Sequence, residues 1–278
     1  MASGALRATP SLAKRPSPLA TLHTMPIISL RNLHKRFGKL VVLDGVSLDI
    51  EAGKTIVILG PSGTGKSVLL KHIVGLLRPD KGEVYFEGVR IDELPERKLD
   101  PVRQNFGFLF QMGALFDSLS NIENIAFPLV EHTKLDKTEI LRIAQQKLDM
   151  VGLPDIANKL PIELSGGMRK RVALARAIAM NPKVILYDEP TTGLDPIRSD
   201  VINELILKLQ RELQITSIVV THDMNSAFKV ADRMVLLFEG KVRFDGTPDE
   251  MKSSTDPVVS RFISGEASEA ELAGLMRS

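Results

Sequence analysis

The hydrophobic positions follow two strand patterns along the chain. Apolar and polar residues alternate over residues 27–30, 46–50 and 84–86, a period typical of antiparallel strands with one face in water. Three later segments are instead almost wholly apolar, as buried parallel strands are, namely residues 55–59, 184–187 and 218–221. The two patterns predict an α/β fold whose mixed core carries an antiparallel β subdomain.

A helical pattern replaces the strand pattern between about residues 112 and 164. Apolar positions recur there at helical spacing, as at Ile140, Ala144 and Leu148, and Gly152 follows the last of them. We therefore predict that a helical subdomain is inserted between two halves of the α/β core.

Three parts are expected along the chain. Residues 25–249 form one large domain that contains the helical insert, and residues 250–278 form a carboxyl-terminal extension. Residues 1–24 are rich in Ser, Thr, Ala and Pro and contain no acidic residue. This composition is typical of a disordered tail or of an organelle transit peptide, and it also fits a start assigned too early, with the true start at Met25.

The composition excludes several classes of function. Among 278 residues, 36 are Lys or Arg and 34 are Asp or Glu, so the formal charge of +2 gives no basis for nucleic-acid binding. The chain contains no cysteine, which excludes disulfides, thiolate zinc sites and a cysteine nucleophile. Its apolar runs fall far short of the ~20 residues that cross a bilayer as a helix. We expect any step inside a membrane to belong to another chain.

The first candidate site is a glycine-rich segment between a strand and a helix. Residues 60–67 match the pattern G-x-x-x-x-G-K-[ST], in which backbone N–H groups and a helix N-terminus surround an anion. We predict that Lys66 contacts the β- and γ-phosphates of a nucleotide and that the Ser67 hydroxyl binds Mg²⁺. The residues assigned to nucleotide binding are Gly60, Pro61, Ser62, Gly63, Thr64, Gly65, Lys66 and Ser67.

The second candidate site is an acidic pair at the end of the apolar strand 184–187. Ligands of open α/β sheets bind at the carboxyl ends of the strands, where Asp188 and Glu189 lie. Asp188 is the expected Mg²⁺ ligand, because this ion prefers oxygen donors. Glu189 is then free to act as the general base toward an attacking water.

A second phosphate-binding segment lies at residues 164–168. The sequence Leu-Ser-Gly-Gly-Met precedes a helical stretch from residue 169 to 179, so that Ser165, Gly166 and Gly167 present a hydroxyl and backbone amides to an anion. One chain does not need two such segments for one γ-phosphate. Two chains arranged head to tail would hold each nucleotide between Lys66 of one and Ser165 of the other.

These motifs, in this order, resemble those of the ATP-binding cassette (ABC) ATPases. The resemblance covers roughly residues 27–249 and includes the LSGGQ signature, with Met168 in place of Gln. It implies MgATP hydrolysis through a P-loop NTPase core, by a dimer of two identical chains.

The resemblance also assigns roles to four further residues. It implies that Phe37 stacks on adenine, that Gln111 is the Q-loop glutamine beside the metal, that Asp195 belongs to the D-loop and that His222 is the switch histidine. His222 follows the strand at 218–221 and would hold Glu189 and water in line. Each of the other three also has a plain structural interpretation: a packing aromatic, a solvated loop amide and the start of a helix, respectively.

Residues 110–119, 124–129 and 164–171 resemble the ATPases of the Mla/Mce lipid-transport systems more narrowly. That branch implies phospholipid as substrate, an integral membrane permease, an Mce-type lipid-binding protein and a small regulatory subunit. It also implies a location on the cytoplasmic side of the inner membrane, or at an organelle inner envelope if residues 1–24 are a transit peptide. Residues 257–266 would then meet a partner subunit or the second ATPase, or pack as an amphipathic helix on their own core.

Two alternatives to lipid transport stay open. The same nucleotide chemistry would serve an ABC transporter of another substrate, such as amino acids. A non-transport ABC protein acting on DNA or ribosomes is more distant, because Lys66 and Ser165 are only about a hundred residues apart and the chain contains a single cassette.

Overall fold

The computed structural model describes residues 25–266; residues 1–24 and 267–278, with the predictions that concern them, lie outside the described range. The strands are β1 (Ile28–Phe37), β2 (Leu40–Ile50), β3 (Thr55–Leu59), β4 (Lys81–Phe86), β5 (Val89–Arg90), β6 (Phe106–Leu109), β7 (Val184–Asp188), β8 (Thr216–Val220), β9 (Arg233–Phe238) and β10 (Lys241–Gly246). The helices are α1 (Lys66–Ile73), α2 (Glu96–Arg103), α3 (Asn121–His132), α4 (Lys137–Met150), α5 (Gly166–Ala177), α6 (Pro196–Leu213), α7 (Met224–Val230), α8 (Pro248–Lys252) and α9 (Pro257–Ser264).

A six-stranded sheet forms the centre of the fold, with strand order β10-β9-β3-β8-β7-β6. All of its strands are parallel except β10, which pairs antiparallel with β9. The three apolar segments of the sequence correspond to β3, β7 and β8, so the prediction of buried parallel strands is confirmed. Because parallel strands end at the same edge of a sheet, the loops after β3, β6, β7 and β8 meet there.

Both faces of this sheet are covered. Along β3, Val57 and Leu59 belong to a core shared with the helices, whereas Ile56 and Ile58 belong to a second core shared with the antiparallel sheet. Successive side chains of a strand point to opposite faces. A strand that is covered on both faces therefore has no polar alternation, which explains why β3 is apolar after Thr55.

The antiparallel sheet has the order β2-β1-β4-β5 and contains the three alternating segments of the sequence. The observed strands are longer than the alternation indicates, because β1 continues to Phe37 and β2 begins at Leu40. The register of β1 shifts between Leu30 and Leu33, and Asn32 in that interval has a φ of 49°. A bulge of this kind breaks the period of two while the strand itself continues.

Helices α3 and α4 lie in the predicted helical insert and pack against α5. Ser120 and Glu123 form a capping box at the start of α3, and Gly152 follows the end of α4 with a positive φ of 71°. Helix α5 begins at Gly166, three residues earlier than the helical stretch predicted from residue 169, because the Ser165 side chain caps it. The signature glycines therefore lie in the first turn of α5.

The carboxyl-terminal helices α8 and α9 pack on the same core as the central sheet. Met251 of α8 and Val259 of α9 are fully buried in it, and Asp256, which caps α9, pairs with Arg243 at 2.7 Å. This packing agrees with the interpretation of α9 as a helix on its own core. The predicted boundary at residue 249 falls within α8. No helix between residues 25 and 266 is long and apolar enough to cross a membrane.

Candidate functional site: a nucleotide-binding edge of the central sheet

The glycine-rich loop between β3 and α1 has a backbone that only glycine fits. Gly60 has a φ of 153°, and a Cβ placed there would lie 2.3 Å from the carbonyl oxygen of Leu237. Gly65, which caps α1, has a φ of 95°, and its Cβ would lie 2.8 Å from the side chain of Val42. The close approach of the loop to its neighbours thus requires glycine at both ends, and the resulting cradle precedes the helix N-terminus that favours an anion.

The Lys66 ammonium lies against the loop from which it projects. Its Nζ donates to the carbonyl oxygens of Gly60 at 2.7 Å and Pro61 at 2.9 Å. Burial lowers the pKa of Lys66, while the charges of Glu189 and Asp188 raise it. The cation is therefore held between the phosphate cradle and the acidic pair at the end of β7.

A cavity of about 320 Å³ adjoins the loop. Its lining combines the amino-terminal sheet with the start of α1, and Phe37 is 48% exposed there. An exposed aromatic ring beside the phosphate cradle has the geometry needed to stack on a base. The residues that line this cavity are Phe37, Leu40, Val42, Gly63, Gly65, Lys66, Ser67 and Val68.

Asp188 and Glu189 end β7 at the same edge of the sheet. Burial raises the pKa of Asp188, as does the charge of Glu189, whereas Lys66 and Lys71 lower it. Two adjacent carboxylates in a partly buried site favour a neighbouring cation. The half-buried Asp188 carboxylate and the exposed Ser67 hydroxyl supply oxygen donors of the kind that Mg²⁺ binds together with phosphate oxygens and water. The residues present thus fit a magnesium ion.

The Glu189 carboxylate is held by three side chains. His222 Nδ1 lies 2.9 Å from its Oε1, and the hydroxyl groups of Thr192 and Thr221 donate to its Oε2 at 3.1 Å and 3.4 Å. Glu189 also has a φ of 52°, in the left-handed region. An unfavourable backbone angle at a residue beside a phosphate site is typical of functional positions, because the surrounding contacts must maintain it.

The structure brings Glu189 and His222 together, as the sequence predicts, but it places the signature elsewhere. Ser165 caps α5, its hydroxyl accepting from the Met168 N–H at 3.4 Å. Asp195 caps α6 and accepts from the Arg198 N–H at 2.9 Å. Within residues 25–266, neither of these two segments lines the cavity beside the glycine-rich loop.

Gln111 is exposed and follows β6 at the carboxyl edge of the sheet, two strands from β8. Next to it lies a groove of about 480 Å³ between the central sheet, α3 and α5. Aromatic rings dominate the groove: Phe108 stacks on Phe110 at 4.1 Å between centroids, and Phe116 contacts Phe127 at 4.7 Å. The Gln111 loop therefore separates an apolar surface from the nucleotide edge.

Three residues that hold Glu189 or its loop were not predicted from the sequence, namely Thr192, Thr221 and Lys170. Thr192 and Thr221 lie within a few residues of predicted positions, but their contacts depend on the tertiary fold. Lys170 did leave a signal in the sequence. It lies three residues after Gly167 and four before Leu174, on the buried stripe of α5, so helical spacing alone puts a basic residue on an apolar face.

Comparison with known proteins agrees with this geometry. Residues 43–192 match the family described as ABC transporter. The chain is 45% identical over 241 residues to the "Intermembrane phospholipid transport system ATP-binding protein MlaF" of Haemophilus influenzae, covering 87% of this chain and 91% of that protein. It is also 45% identical over 238 residues to the "Probable ribonucleotide transport ATP-binding protein mkl" of Mycobacterium leprae, covering 86% and 69%.

A solved structure of similar fold is the dimer of the ATP-binding cassette MJ0796 in a post-hydrolysis state with ADP and Pi. Its TM-score is 0.73 at 36% identity, over 80% of this chain and 98% of that one. In this chain the glycine-rich loop, the Asp188 carboxylate and the Glu189–His222 pair lie at one edge of the central sheet. The chain belongs to the ABC transporter family, as an ATP-binding subunit that hydrolyses ATP.

Proposed function

We propose that this chain uses ATP hydrolysis to drive phospholipid transport between membranes through a separate permease. The observation that carries the hydrolytic part is the Glu189 carboxylate, which is oriented by His222 at 2.9 Å on the same sheet edge as the Lys66 loop. The phospholipid part is supported by the name of the Haemophilus relative and by residues 110–119, 124–129 and 164–171.

The phosphate and metal roles follow from the positions of the side chains. Lys66 leaves the two loop carbonyls and contacts the β- and γ-phosphate oxygens, while Phe37 stacks on adenine. Ser67, Asp188 and Gln111 would hold Mg²⁺ when it is bound. Bound Mg²⁺ offsets the charge of the phosphate oxygens.

The chemical step uses Glu189 and His222. Glu189 accepts a proton from a water molecule whose oxygen attacks the γ-phosphorus, and the bond from that phosphorus to the bridging oxygen breaks to give ADP and phosphate. The imidazole of His222 donates toward the γ-phosphate and keeps Glu189 aimed at the water. Thr192 and Thr221 donate to Oε2 of Glu189, so that Oε1 is directed toward the water.

A second copy of the chain completes the site. Ser165, Gly166 and Gly167 lie at the N-terminus of the twelve-residue helix α5, where a hydroxyl and backbone amides can bind a γ-phosphate. The signature of one copy faces the Lys66 loop of the other, and Asp195 lies in the contact between them. ATP thereby holds the two copies together, and hydrolysis separates them.

The permease binds the aromatic groove beside Gln111. Phe110, Phe116 and Phe127 are each more than a third exposed there, which is unusual for phenylalanine and typical of an interaction surface. Movement of the Gln111 loop as nucleotide binds would alter this surface.

The resemblance to the Mla/Mce ATPases supports a location at the cytoplasmic side of the inner membrane. It also supports an Mce-type lipid-binding protein and a small regulatory subunit as further partners.

Substitution of Glu189 tests the hydrolytic part. Glu189→Gln keeps the shape and loses the base, so kcat should fall by about 10²–10⁴-fold. ATP should still bind, and the protein should accumulate as a closed dimer on size-exclusion chromatography with ATP. Normal turnover in Glu189→Gln would remove Glu189 from the role of base.

Isolation from the native membrane tests the substrate. The chain is purified in mild detergent with its partners, and proteins and lipids are identified by mass spectrometry. An Mce-domain protein, a permease and bound phospholipid support lipid transport. A different permease, with a binding protein for a small solute such as a ribonucleotide or an amino acid, would overturn the substrate while leaving the ATPase assignment intact.

A further inference from the structure

A lysine of the signature helix is buried against the loop that carries Glu189. Lys170 is only 6% exposed. Its Nζ donates to three backbone carbonyl oxygens, those of Glu189 at 3.2 Å, Pro190 at 2.7 Å and Thr192 at 2.9 Å. An ammonium group has three N–H donors, so these contacts satisfy it completely.

The loop that receives these bonds has a demanding geometry. Glu189 has a positive φ of 52°, which is unfavourable for a residue with a side chain. The same loop supplies the Thr192 hydroxyl that bonds the Glu189 carboxylate. Lys170 therefore ties both ends of a four-residue turn whose shape sets the direction of that carboxylate.

Burying a charged group is unfavourable unless hydrogen bonds compensate it. An apolar residue at position 170 would avoid that cost, but it would leave carbonyl oxygens of the turn without a donor from α5. Burial lowers the pKa of Lys170 to about 8, and the charge of Glu189 opposes this change. The lysine is therefore costly at this position, and packing of α5 alone does not require it.

We propose that Lys170 is a positioning residue for ATP hydrolysis, which holds the 189–192 turn so that Glu189 faces the attacking water. The inference rests on the proposed role of Glu189 as base. It also connects two parts of the chain, because Gly167 lies within one helical turn of Lys170 on α5 and Ser165 caps the same helix. The helix that meets the second copy's ATP is thereby bonded directly to the turn that acts on this copy's ATP.

Steady-state ATPase measurements on the full chain test this inference. Lys170→Met removes the charge-assisted bonds to the 189–192 turn and should lower kcat about tenfold, with the KM for ATP changed less than about twofold. Lys170→Arg keeps a cationic donor for the carbonyls and should recover most of the lost kcat.

Lys147 provides a matched control. It is a second buried lysine, on α4, and its Nζ donates to Asn181 Oδ1 at 2.6 Å. Lys147→Met should lower the Tm of the chain through loss of a buried bond, but leave kcat unchanged. A kcat loss confined to position 170 distinguishes positioning of Glu189 from a general effect of removing a buried cation.

Unchanged kcat in Lys170→Met, with Glu189→Gln inactive, would overturn the positioning role and leave the base in place. Normal turnover in Glu189→Gln would instead remove the base and the inference together. If Lys170→Met does not fold, Lys170→Gln is compared with Lys170→Arg. Equal kcat in those two variants would overturn the inference, since only arginine keeps a positively charged donor for the carbonyl oxygens.

Discussion

Helices α1 and α5 both begin at glycine-containing loops, yet they differ in what the chain itself provides around them. Helix α1 is capped by Gly65, which has no side chain, and Lys66, Ser67 and the acidic pair lie beside its N-terminus. Helix α5 is capped by the Ser165 hydroxyl and is bonded to the 189–192 turn through Lys170. In the proposed function, the first N-terminus binds phosphate together with neighbouring side chains of its own chain, whereas the second contacts a nucleotide held by another copy.

Removal of the Lys66 cation should give the largest difference between the two helices. Lys66→Ala deletes charge-assisted bonds to phosphate, so the Kd for ATP should rise by on the order of 10²-fold. Ser165→Ala should leave the affinity of the isolated monomer within about twofold while weakening ATP-driven dimerisation. Fluorescent nucleotide titration and analytical ultracentrifugation measure the two effects. Unchanged ATP affinity in Lys66→Ala would remove Lys66 from the phosphate site.

A paired glycine substitution should give a smaller effect, on folding stability. A Cβ at Gly65 meets Val42 at 2.8 Å and the φ of 95° is unfavourable, whereas a Cβ at Gly166 meets Leu194 at an ordinary 3.7 Å. Gly65→Ala should therefore lower the free energy of unfolding by about 2 kcal/mol. Gly166→Ala should change it by less than about 0.5 kcal/mol.

Urea denaturation of both glycine variants, without nucleotide, provides the comparison. An equal loss of stability would contradict the difference in backbone geometry between the two loops. Gly166→Ala should then be assayed for dimer formation with ATP, because the added methyl group lies where the second copy's phosphate is expected.

The smallest expected effect is a dependence of turnover on alkaline pH through α5. The Lys170 ammonium has a pKa of about 8, lowered by burial, with Glu189 as the charged group that opposes the change. Its bonds to three carbonyls are complete below that pH, and one donor and the charge are lost as the pH rises through it. At pH 9 the ratio of wild-type to Lys170→Arg kcat should be about twofold lower than at pH 7. A ratio that stays constant over this range would show that protonation of Lys170 does not limit turnover.

Much of the fold could be predicted because it depends on local pattern. A strand covered on both faces contains a run of consecutive apolar residues, so β3, β7 and β8 are evident in the sequence. By contrast, β10 is an edge strand whose residues 241–246 alternate between exposed and half-buried, and its polar–apolar alternation is short, from Lys241 to Phe244. Edge strands leave a weak pattern because only one neighbour and one face constrain them.

Only part of the candidate site could likewise be predicted from local pattern. Its residue types and their order are visible in the sequence, and Glu189 and His222 do meet in the structure. The left-handed backbone of Glu189 and the bonds from Lys170 arise from the packing of α5 against a loop about twenty residues away. Neither spacing nor periodicity contains that information, although the helical position of Lys170 indicates a buried charge.

The carbonyl oxygens of the glycine-rich loop compete with phosphate oxygens for the Lys66 ammonium. Before a nucleotide enters, the ammonium already has two acceptors, the carbonyl oxygens of Gly60 and Pro61. An ammonium group has three N–H donors, so one remains for a ligand, and further bonds to phosphate require that its oxygens replace these carbonyls. A nucleoside monophosphate has a single phosphate, which does not extend as far along the loop. Its oxygens therefore replace fewer of these carbonyls as acceptors than the oxygens of a triphosphate do. The contacts of Lys66 with its own loop thus favour ligands that carry several phosphates.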